Sequence, residues 1–217
     1  MSQSLTDIVA KFDQQVKALR KEGDLAALLA TAREAADEVE RRVGDANWSE
    51  EQRGALMAVQ RWTYNAAADC WPGWTVPSES ADPRMLIAAR EIAQRSLGLV
   101  ERLGVGPLRE GTGIWLLGAF DLALGRYGDA SRHFTAARER YVAANAPALL
   151  AEGYLAIVQQ ISEGGRSGEG SALDQVCARI SAGEFKDGAA WVAQLRTALA
   201  AFTRPADVQD DTARDAN

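Results

Sequence analysis

Between Thr112 and Asn145 the chain reads Ile114-Trp115-Leu116-Leu117-Gly118, then Gly125-Arg126-Tyr127, then Ala130, Phe134 and Ala137, and this stretch decides the fold. Apolar residues recur three and four positions apart on both sides of Gly125, the period of one helical face. The stretch therefore predicts two helices joined by a very short turn. Gly118, Ala130 and Ala137 are its small residues, and in a tight hairpin small residues sit where two helix backbones approach.

Upstream, Leu5 to Lys21 carries Leu5, Ile8, Phe12, Val16 and Leu19 on one face of an amphipathic helix. Gly23 interrupts it, and Asp24 caps a second helix, Leu25 to Val43. The outer face of that helix, Arg33-Glu34, Asp37-Glu38 and Arg41-Arg42, reads as a solvated surface with i,i+4 pairs. Ser49, with Gln52 three residues on, starts a third helix that runs to about Cys70. Pro72 stops it, and Trp71 to Asp82 is read as a loop. Asp82 and Pro83 open a fourth helix to Leu103, closed by Gly104-Val105-Gly106-Pro107.

Downstream, Asn145-Ala146-Pro147 is expected to cap and open a helix to about Ile161. Gly164 to Gly170 is a glycine-rich connection. Ala172 to Ile180 is a short helix, and Phe185 to Phe202 is a last one with Trp191, Leu195 and Leu199 on its apolar side. Thr203 to Asn217 contains Pro205, four Asp and little that is apolar, so residues 204–217 are expected to be a disordered acidic tail beside a single domain at 1–203.

A chain of 217 residues is ample for one core or a short array of hairpins sharing one. Hydrophobic residues are 47% and charged residues 25%, the ordinary soluble range. No run approaches the ~18 apolar residues of a membrane span, and the start Met1-Ser2-Gln3-Ser4-Leu5 lacks a basic and apolar leader. The expected location is the cytoplasm. A net charge of −6 argues against a nucleic-acid partner, because that affinity comes from concentrated positive charge. Abundant Arg and Ala suit a GC-rich bacterial genome.

Leu117-Gly118, Gly125-x-Tyr127, Ala130, Phe134 and Ala137 fall at the spacing of the tetratricopeptide repeat, which this segment resembles over about one full unit. The family's Trp is displaced by one position and its late Pro is missing. Gly153 follows Gly118 by 35 residues, close to the ~34-residue period. Three residues before these stand Trp115 and Leu150, and Trp62 with Asn65 repeats the pattern upstream. The resemblance implies an all-α, right-handed stack of antiparallel hairpins, about nine helices in all. It also implies that the first helix of each unit lines a concave groove gripping a partner segment. Carried over by position, the groove residues are Trp62 and Asp69, then Trp115 and Leu122, then Leu150 and Tyr154. The lining contains no Lys or Arg, so a clamp for a terminal carboxylate is not supported.

An open groove of this kind would expose more apolar surface than monomers tolerate, so something must cover it. Three covers are open: the chain's own N-terminal hairpin or C-terminal helix, a partner segment or second copy, and a small apolar ligand. Trp71-Pro72-Gly73-Trp74 is either a lid packed back over the core or a binding loop at the groove's rim. Cys70 beside Asp69 lacks a nearby base, and Cys70 and Cys177 have no companions at metal-ligand spacing. His133 is the sole histidine, with no partners for catalysis or metal identified in the sequence. No P-loop or Gly-x-Ser-x-Gly pattern occurs. The expected role is a non-enzymatic interaction or adaptor module that uses no cofactor and binds a protein, peptide or its own twin. The competing class is a small-molecule sensor with an enclosed aromatic pocket.

Overall fold

The computed structural model describes residues 4–44, 47–74, 82–164 and 170–203. Among the described residues there are nine α-helices and no strand. They are α1 (Leu5–Glu22), α2 (Leu25–Val43), α3 (Glu50–Asp69), α4 (Pro83–Leu103), α5 (Pro107–Ala123), α6 (Tyr127–Ala143), α7 (Leu149–Ser162), α8 (Ala172–Ala182) and α9 (Gly188–Phe202). A 3₁₀ turn, Pro72–Trp74, follows α3. The expected tail at 204–217 and the middle of the glycine-rich connection lie outside the described residues.

Capping residues explain where the helices begin. Ser49 accepts from the Gln52 amide while Gln52 reaches back to the Ser49 amide, closing a capping box, and Ser4 with Asp7 does the same for α1. Asp24 and Asp82 cap α2 and α4, the latter with Pro83 in its first turn. Between α5 and α6 the chain reverses through Gly125 at φ +70°, where the Arg126 amide donates to Asp121 O at 2.8 Å. Only glycine takes that conformation without a Cβ penalty, so the hairpin's shortness depends on it.

Two boundaries differ from expectation. Asn145 does not cap α7; it sits at φ +52° and ends α6, its amide donating to Val142 O and the Ala146 amide to Tyr141 O. Asparagine tolerates the left-handed region, so it serves as a helix stop here and α7 starts beyond Pro147. At the other end α9 begins at Gly188 rather than Phe185, because Phe185 turns back to stack near Trp191 with ring centroids 5.5 Å apart.

Each helix packs on its neighbour in sequence, while α1 also meets α3 and α2 meets α4, so the first two hairpins lie side by side. One apolar core runs from Ile8 in α1 to Ala198 in α9. The α5/α6 hairpin closes on a glycine: a Cβ at Gly118 would lie 2.9 Å from the Phe134 ring and 3.2 Å from His133 Cβ. Gly153 is more crowded still, but by Leu195 of α9, whose methyls would stand 2.5 Å from an added Cβ. The two glycines at the repeat spacing therefore admit different neighbours. Among the described residues no helix is long and apolar enough to cross a membrane.

Candidate functional site

An aromatic cluster forms around Trp115 and Tyr154, and the chain fills it from within. Pro72 ends α3 so that Trp71 leaves its last turn and inserts between α5, α7 and α9. Its ring lies 5.6 Å from Trp115, 5.7 Å from Tyr154 and 6.3 Å from Phe202, edge-on to the first two. Such tilted pairs contribute about 0.5–1.5 kcal/mol each beyond burial. The Trp71 indole donates to Ala119 O at 3.1 Å. Gly73 allows the ring to fold beneath its own turn, since a Cβ there would come within 2.3 Å of it. Tyr154 stacks on Phe134 at 5.0 Å and accepts from Gln194 of α9; its burial pushes the phenol's pKa far up, and the Gln194 bond only partly offsets that.

Of the residues assigned to the groove, Trp62, Trp71, Trp115, Leu122 and Tyr154 are each 3% exposed or less. Leu150 is half-buried against the core, and Trp74, at 45%, is the open member of the set. Trp74 packs 6.1 Å from Trp115 and 5.0 Å from Trp71, closing over them. Trp62 stands apart from this cluster. It is covered by α1, where Phe12 lies 6.4 Å away and Asp13 accepts its indole N–H at 3.1 Å. The Lys17 ammonium and the Trp62 N–H hold the Asp13 carboxyl below its ordinary range. Asp69 is tied to the same end of the wall by two bonds from Arg20, at 2.6 and 2.9 Å. Both terminal helices thus cover the wall. Among the described residues the Trp115 indole N–H is buried without an acceptor.

The candidate chemical residues sit elsewhere. Burial, and secondarily Asp69, pushes the Cys70 thiol up to about 11, and its Sγ donates to Ala66 O; burial also raises Cys177. In both, burial disfavours the thiolate, the form that attacks. His133 faces Asp121, a fully buried carboxylate in the apolar run of α5, with Nδ1 2.8 Å from Oδ2 but not aligned for a hydrogen bond. Arg90 of α4 grips the same carboxylate with two bonds, 2.8 and 3.1 Å. Burial raises the Asp121 pKa, but the imidazole and the guanidinium outweigh it and hold the group below its ordinary value. This cluster pins α4, α5 and α6 together. Among the described residues no three His, Cys, Asp or Glu gather as a metal site.

An open cleft of about 800 Å³ lies on α2 itself. Ile8 and Phe12 of α1 and Leu29 of α2 form its floor, and Ala26, Ala30, Met85 and Ala88 line its walls. Charged side chains rim it: Lys11, Arg33, Glu34, Asp37, Glu38, Arg41, Asp82 and Arg84. Periodicity read this face as solvated surface with i,i+4 pairs. Glu38 does pair along the helix with Arg41 and Arg42, yet Arg33 and Asp37 reach across to Glu91 and Arg95 of α4. The cleft was missed because two of its walls come from other helices; the available signal was Ala26 and Ala30, small residues continuing a charged stripe. No protein-family model, curated protein or solved structure matches this chain.

Proposed function

We propose that this chain is a non-enzymatic cytoplasmic interaction module, planned like a tetratricopeptide array, that holds a helical segment of a partner protein in the cleft over α2. The observation that carries the reading is the contrast in occupancy. The concave aromatic wall is packed with the chain's own Trp71, α1 and α9, whereas the α2 cleft has an apolar floor, a charged rim and room for a side-chain-bearing segment. Small alanines on α2 and α4 let another helix approach closely, and helix-in-groove docking needs that combination. No complete catalytic constellation accompanies Cys70 or His133, which supports binding over catalysis.

Ala30→Trp fills the cleft from an exposed helix position and tests the reading. Affinity capture from native extract with wild type, Ala30→Trp and Trp74→Ala should lose its protein partner only with Ala30→Trp. Loss with Trp74→Ala alone would return the binding surface to the aromatic wall. A second reading, a small ligand beneath Trp74, rests on the unpaired Trp115 N–H, since a buried donor left unsatisfied costs about 1–3 kcal/mol. Native mass spectrometry showing a bound molecule that Trp115→Phe releases would favour it.

A further inference from the structure

We draw no further inference here: the strongest candidate, the Trp115 indole N–H buried beneath Trp74 in the aromatic cluster, belongs to the small-ligand reading already described, and nothing in the structure shows what would accept its bond.

Discussion

Trp62 and Trp115 hold corresponding places in the chain, each three residues before the position where a hairpin expects a small side chain, Asn65 in one case and Gly118 in the other. Both are buried, but by different means. Trp62 is covered by the preceding hairpin, which brings a carboxylate for its N–H. Trp115 is covered by a three-residue turn and lies among rings, where its N–H finds no acceptor. Two tryptophans at corresponding places in the chain are thus both buried, while the cover of each comes from whichever other segment is nearest. The same contrast separates Gly118, filled by its hairpin partner, from Gly153, filled by α9.

The largest test of this contrast is Trp71→Ala. It removes the ring that links Trp115, Tyr154 and Phe202, and it should cost about 3–5 kcal/mol in urea unfolding; a loss under about 1 would mean that α9 seals the wall without it. Asp121→Asn comes next, because it leaves Arg90 half-buried and uncompensated, at roughly 3 kcal/mol near neutral pH. The folded-state pKa of Asp121 lies below the ordinary 3.8, so its contribution is complete above that value and lost as pH falls through the lower one. The penalty of Asp121→Asn should therefore shrink on acidification, and a pH-independent penalty would show that the carboxylate's charge is not what matters. Gly118→Ala should cost about 1–3 kcal/mol by crowding a ring fixed on both sides. Gly153→Ala should cost less, since Leu195 can swing its methyls aside; equal costs would erase the distinction between the two hairpins. Smallest is the difference between the tryptophans themselves. Trp62→Phe breaks a hydrogen bond and Trp115→Phe breaks none, so paired urea melts should separate them by about 1 kcal/mol.

The bounds of α2 and α4 were legible to the residue, because their caps are local: Asp24, Asp82 with Pro83, and a glycine after each. Local rules failed where a residue answers to two of them. Asn145 can start one helix or stop another, and the preceding tight hairpin decided for the stop. For Trp71-Pro72-Gly73-Trp74 a lid over the core was one of two readings the sequence left open; the ring's contacts were not legible, since its place is set by α5, α7 and α9. Asp121 gave a signal that periodicity passed over: an acid between Phe120 and Leu122 on an apolar stretch must be paired, yet Arg90 and His133 lie too far off in sequence to be named as the partners. The α2 cleft shares that difficulty, being a product of register between helices rather than of any one helix.

Gly73 lies so close over the Trp71 ring that the two residues act as a single unit of inheritance. Any side chain at position 73 evicts the indole, and an unfilled hollow follows unless position 71 shrinks or α9 moves inward. Descendants of this chain are therefore expected to keep the glycine and the indole together or to lose them together, and a lineage that lost both would have left a hollow among Trp115, Tyr154 and Phe202.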